Sequence, residues 1–194
     1  MGKPKIISLG RKKNRERQFT TEFRKGTEVS YLLTEEMVRE AVDLVRPAID
    51  HIRTTFAKRS HGHLIVVDPN SGSEPENLYE ESWGDPATEW EHSYDLIAQG
   101  KADLCFYTGR NSRTVVTEEP YLLGEGHTQW VGAIVSGPSR RLVVSYSGAE
   151  DYVDEMICYL VAAAIQMVSR RAFANLPAEL DFPWDEEDEE PNYR

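Results

Sequence analysis

Cysteine is scarce in this 194-residue chain: Cys105 and Cys158 are the only two. That excludes a small disulfide-stapled scaffold, and both thiols fall within apolar helical patterns, where cysteine behaves as a small buried hydrophobe. No C-x-x-C or H-E-x-x-H is present, nor a carboxylate cluster to back up His61 and His63, so no recognisable zinc or metalloprotease signature exists. G-x-S-x-G is absent, as is any phosphate-loop pattern, and no nucleophile–base–acid set can be picked out. The residues therefore point away from an enzyme and leave the catalytic set empty. No apolar run approaches the roughly 20 residues of a membrane span, and the basic N-terminus lacks the apolar stretch of a secretory signal. Reduced thiols without a signal lead us to expect a cytoplasmic protein.

Charge is plentiful but unevenly placed. The net charge is −11, yet residues 1–25 carry nine Lys/Arg against two Asp/Glu, while residues 179–194 carry eight Asp/Glu against Arg194. The body between them is acidic and repels phosphates, which argues against a nucleic-acid-binding core. Three segments follow: a basic arm over 1–29, expected to be partly disordered; one α+β domain over 30–174; and an acidic tail over 175–194. The tail carries Leu180, Phe182 and Trp184, three apolar residues able to dock on this protein or on a protein partner.

Within the domain, Thr34 is a good N-cap, and Met37, Ala41, Leu44, Val45, Ala48, Ile52 and Phe56 recur at helical spacing, with Pro47 expected to kink or split the helix. The β-branched run 64–67 predicts a buried strand, and residues 78–83 a partner for it. A second amphipathic helix is predicted over 87–108, with Gly109 as its C-terminal cap. Of the short runs 114–116 and 121–123, one is expected to supply an edge strand. Residues 130–135 and 142–146 flank a Ser-Gly-Pro-Ser turn and predict a hairpin. A long final helix follows, with Ser147 and Glu150 read as a capping box and Val153, Met156, Ile157, Leu160, Val161, Ala164, Ile165 and Val168 as its apolar face.

Four words in this order, LIVVDPNSG, YDLIAQGKADLCFYTGRNSR, WVGAIVSG and VSYSGAEDYVDEM, make the chain resemble the GlcG/HbpS-like family, often labelled haem-binding or haem-degrading. The resemblance spans roughly residues 34–172 and departs from the family in its long acidic segment between Val67 and Trp90. It implies a profilin-like fold: an antiparallel sheet of about five strands flanked by three main helices. It also implies a homo-oligomer and a small-ligand binding module, with haem as a possible ligand. The alternative is a scaffold protein assembling with itself or a partner through a sheet edge, a helix face or the acidic tail.

Candidate ligand-binding residues follow from the residues themselves. His61 and His63 are two apart, so on a strand both rings share one face and could approach one ligand. His92 and His127 are lone candidates near helix and loop boundaries, and one imidazole in an apolar pocket suffices for axial haem ligation. Arg140 and Arg141 beside the hairpin turn could hold an anion bidentately, or simply be exposed turn residues. Trp130, with Trp83 and Trp90, either lines an aromatic pocket or fills the core. The histidines carry the same plain alternative of satisfied surface residues.

Overall fold

The computed structural model describes residues 33–57, 61–84, 90–124, 127–137 and 141–175. The basic arm, the acidic tail with Leu180, Phe182 and Trp184, and Arg140 lie outside the described residues.

The first helix, α1 (Glu35–Ile52), starts where Thr34 caps it, the Thr34 Oγ1 accepting from the Met37 amide at 3.3 Å. It runs through Pro47 as one helix, because Pro47 lies on the solvent face, where water can satisfy the carbonyl left without its donor. A π-helical turn, Arg53–Ala57, follows and re-phases the chain, so Arg53 and Ala57 turn inward and Phe56 points out. Leu44 and Ala48, on the outer face of α1, are exposed as well, against the expectation that these and Phe56 join the core.

Four antiparallel strands form the sheet among the described residues: β1 (Gly62–Val67), β2 (Asn77–Trp83), β3 (Ala133–Ser136) and β4 (Leu142–Ser147), in the order β2-β1-β4-β3. The sheet is α+β as expected, with four strands rather than about five. The missing strand is the one assigned to 114–116 or 121–123. Residues Ser112–Thr117 instead form a short helix, α3, and Pro120–Leu122 a single 3-10 turn. The second helix, α2 (Tyr94–Thr108), begins seven residues later than residue 87 and ends at Gly109, whose amide donates to the Cys105 carbonyl.

Strand β1 is buried along its whole length, which its unbroken apolar run requires. Its alternate residues serve two cores. Leu64 and Val66, with Ile134, Val144 and Tyr146, face α1 and the last helix, α4 (Asp151–Ala174). Ile65 and Val67, with Ala133 and Val143, face Ala98, Ala102 and Cys105 of α2. Helices therefore cover both faces of the sheet. By length and composition α4 is the one helix among the described residues that could cross a membrane, but half of that window is buried in the protein.

The start of α4 differs from the expected capping box. Glu150 is the N-cap and Ser147 remains in β4. Asp154, one turn in, reaches back so that its Oδ1 accepts from the Ala149 amide at 2.9 Å. The apolar face is as predicted except for Met156, which is exposed.

Candidate functional site

The site is built where α2, the segment before β3 and the start of α4 meet at one end of the sheet. Its floor is a buried ion pair. Lys101 lies on the inward face of α2 and Asp154 on the inward face of α4, and both side chains are 2% exposed. The Lys101 Nζ donates to Asp154 Oδ2 at 2.8 Å and to the Tyr146 carbonyl at 3.0 Å. This pair ties the two helical layers together past the edge of the sheet.

Gly132 makes the crossing possible. Its φ of +122° favours glycine, and a Cβ there would lie 2.5 Å from the Asp154 Cβ and 3.0 Å from the Lys101 Nζ. Its carbonyl accepts from the Cys158 Sγ, and its amide donates to the Ser112 Oγ at 3.0 Å. Ser112 also accepts from the Ala133 amide and donates to the Ala133 carbonyl, while Asn111 Oδ1 accepts from the Val135 amide. The segment between α2 and α3 is thus the brace that holds β3 in place, through Asn111 and Ser112.

Burial raises the Asp154 carboxyl to about 6, outweighing the opposing pull of Lys101 and of the Ala149 amide. Burial likewise pushes the Cys105 thiol up to about 12 and the Cys158 thiol well above its ordinary range. Neither thiol is a nucleophile in this state, since the thiolate is the reactive form.

Above the ion pair opens a cavity of about 430 Å³. Its walls are His92, Tyr94 and Ile97 from α2 and the turn before it, Trp130 from the strand approach, and residues 147–152 from the turn into α4, including Tyr152. Trp130 is 59% exposed and stands at the mouth. The turn at Gly148 packs closely: a Cβ there would lie 2.6 Å from the His61 carbonyl oxygen.

Trp130 and the lone candidate His92 are the sequence-predicted residues that line this cavity among those described. His61 lies behind the wall, its backbone against Gly148. His63 is also one layer back. Its Nδ1 is 2.9 Å from the Ser82 Oγ, its ring meets Trp90 at 6.3 Å, and Trp90 in turn meets Tyr94 at 5.6 Å. Burial holds the His63 imidazole below its ordinary value, against the pull of Glu80 and Asp95. The His127 Nδ1 accepts from the Gly124 amide at 2.8 Å and closes a local loop. Arg141 is exposed just before β4. Of the other tryptophans, Trp83 is core, flanked by Arg46 and Arg53 at 5.8 Å and 5.5 Å.

Sequence reasoning weighed His92 as a lone candidate and read it as a satisfied polar residue, and it passed over Lys101 and Asp154 as site residues. A signal for Lys101 existed: it falls on the same helical face as Tyr94, Leu104 and Cys105, where a charge needs a partner. Asp154 reads by itself as an acid favoured by the helix dipole, so nothing local marks it as that partner.

No family model matches the chain, and no curated protein matches it in sequence. Solved structures do. The chain is similar to the Klebsiella pneumoniae protein ORFY, of family DUF336, with a TM-score of 0.50 and 14% identity over 74% of this chain and 97% of that one. It is also similar to a double mutant of Streptomyces reticuli HbpS (TM-score 0.45, 18% identity, 82% and 97% covered) and to PduOC in its haem complex (TM-score 0.42, 15% identity, 66% and 88% covered). The chain has the GlcG/HbpS-like fold that its sequence resembles.

Proposed function

We propose that this chain is a non-enzymatic binding module for a small, largely aromatic ligand seated in the cavity between α2 and the start of α4. The observation that carries the reading is the composition of that cavity: four ring side chains, His92, Tyr94, Trp130 and Tyr152, around a floor whose charges already satisfy each other. About 430 Å³ lies within the range of roughly 300–1,000 Å³ for ligand pockets. Aromatic walls favour a flat apolar ligand, and a neutralised floor does not demand a counter-charge from it.

Haem is the first ligand to try. The residues fit it by donor chemistry: His92 is the imidazole in the cavity lining, and Trp130, Tyr94 and Tyr152 are walls suited to a macrocycle. If bound, haem would supply an iron that an imidazole can ligate. His92 would hold that position, Trp130 would shield the exposed edge from water, and the Lys101–Asp154 pair would keep α2 and α4 at fixed separation. His61 and His63 would support the wall from behind.

Titration of the purified protein with haemin tests this. A saturable Soret shift that is lost in His92→Ala and retained in His127→Ala is expected. A featureless response removes haem. The cavity itself is tested by the Trp130 indole resonance in the presence of aromatic fragments: no fragment moving it would overturn the binding reading altogether.

A further inference from the structure

We propose that the cavity takes its ligand through a neutral carbonyl oxygen on a flat aromatic ring, held at the floor by Lys101 and Ser147. This rests on the cavity being the ligand site argued above, and not on haem. The number of donors at the floor is the starting point. An ammonium carries three N–H groups and no acceptor. Lys101, 2% exposed, meets two acceptors among the described residues: Asp154 Oδ2 at 2.8 Å and the Tyr146 carbonyl at 3.0 Å. Other acceptors nearby already have donors of their own. Asp154 Oδ1 accepts from the Ala149 amide, and the Gly132 carbonyl accepts from the Tyr146 amide at 3.3 Å and from the Cys158 Sγ at 3.1 Å. A buried donor without a partner is costly. Lys101 lines the cavity, so the acceptor for its third N–H comes from what the cavity holds.

A second donor stands beside the first. Ser147 is the last residue of β4, and its nitrogen shares a peptide group with the carbonyl that Lys101 binds. Side chains alternate across a strand. Tyr146 points into the core toward α1 and α4, while Ser145 points to α2, where its Oγ donates to the Ala98 carbonyl. Ser147 therefore falls on the α2 side, as Ser145 does. There it is 4% exposed and lines the cavity, and its hydroxyl has no hydrogen-bond partner among the described residues. Two donors so placed suit one acceptor with two lone pairs, which a carbonyl oxygen supplies. A hydrocarbon edge would leave both donors dry and unpaired. A carboxylate would set two buried anions, itself and Asp154, against one ammonium, and an amine would bring a second cation to Lys101. Tyr94 and Trp130 are then left to take the flat body of the ligand.

The test uses three probes of similar shape, 1-indanone, indane and indane-1-carboxylate, titrated into the full chain with the Trp130 indole resonance as readout. 1-Indanone is expected to bind about tenfold more tightly than indane, the effect of one hydrogen bond to a charged donor. It is also expected to bind more tightly than the carboxylate. Ser147→Ala is expected to cut the preference for the ketone about threefold, and Lys101→Met with Asp154→Leu, which keeps the floor free of an unpaired charge, to remove it. The carbonyl stretch of bound 1-indanone is expected at lower wavenumber in wild type than in Ser147→Ala, a change that a packing role for Ser147 would not produce. Indane binding as tightly as 1-indanone overturns the proposal and leaves the cavity reading standing. The carboxylate binding most tightly does the same. A preference for the ketone that is unchanged in either variant also overturns it, by placing the carbonyl elsewhere. If none of the three probes moves the Trp130 resonance, the cavity reading falls and this inference with it.

Discussion

The two faces of the sheet are held by different kinds of force. On the face toward α1 and α4, Leu64, Val66, Ile134, Val144 and Tyr146 meet a continuous apolar wall running from Val38 to Val168. On the face toward α2, the buried helix residues that meet the strands are the small Ala98, Ala102 and Cys105, with Phe106 packed half-buried beside them. Polar groups enter there instead: the Ser145 Oγ donates to the Ala98 carbonyl at 2.7 Å, and Lys101 crosses to Asp154. Apolar burial is non-directional and tolerates shape change, whereas a buried charge or hydroxyl depends on one partner in one place. The cavity opens where the second kind of packing ends. A positioned site belongs beside directional contacts, because they fix geometry.

The sharpest way to break this contrast is to remove one half of the ion pair. Lys101→Met leaves Asp154 as an uncompensated buried charge and should cost about 3–5 kcal/mol in urea denaturation. Lys101→Met with Asp154→Leu should recover most of that loss, since replacing both partners by apolar groups is often close to neutral. A single variant costing under about 1 kcal/mol would mean that the α2 face is not held by directional contacts.

Truncations in the two cores come next. Ile165→Ala, in the wall behind Val144 and Leu64, should cost about 2–5 kcal/mol. Cys105→Ala, on the α2 face, removes one atom from a sparser core and should cost about 1 kcal/mol. Equal losses would erase the distinction.

The smallest effect is in the pH dependence, where two groups act in opposite directions. Asp154 titrates near 6 when folded against an ordinary 3.8, so its contribution is fully present below about 3.8 and is lost as pH rises through about 6. His63 is held below its ordinary 6.5, so its contribution is present above 6.5 and is lost as pH falls through its lower folded value. On acidification from pH 7 toward 4, the urea midpoint of Asp154→Asn should therefore fall more steeply than that of wild type. The midpoint of His63→Gln should fall less steeply. Parallel curves for all three proteins would refute both assignments.

Much of the architecture was legible because it is written in local terms. Thr34 caps α1 through its own hydroxyl, Gly109 ends α2, and the β-branched run in β1 is buried on both sides as such a run must be. The errors lie where a tertiary contact outweighs local pattern. Val115 looks like strand, yet it packs inward from a helical turn because Asn111 and Ser112 must reach the backbone of β3. Ser147 looks like a cap, yet it completes β4 opposite His63, and Asp154 takes over the amide of Ala149. On α4, Met156 was read as core yet is exposed, because periodicity alone cannot say how far round a helix burial extends.

The candidate site was legible only in part. Trp130 was named as a pocket residue and lines the cavity, as does His92, a lone candidate read as a satisfied polar residue; Lys101 and Asp154 were not named as site residues. His92, Lys101 and Asp154 are each ordinary in their own segments.

By itself the sequence determined an α+β chain with a hairpin feeding a long amphipathic helix, since spacing, caps and turns are properties of neighbours along the chain. Only the tertiary structure decided that Lys101 and Asp154, 53 residues apart, would meet past Gly132 and that a cavity would open above them. The physical reason is that a buried charge takes its meaning from the partner facing it across the core, and no local pattern states which residue that is.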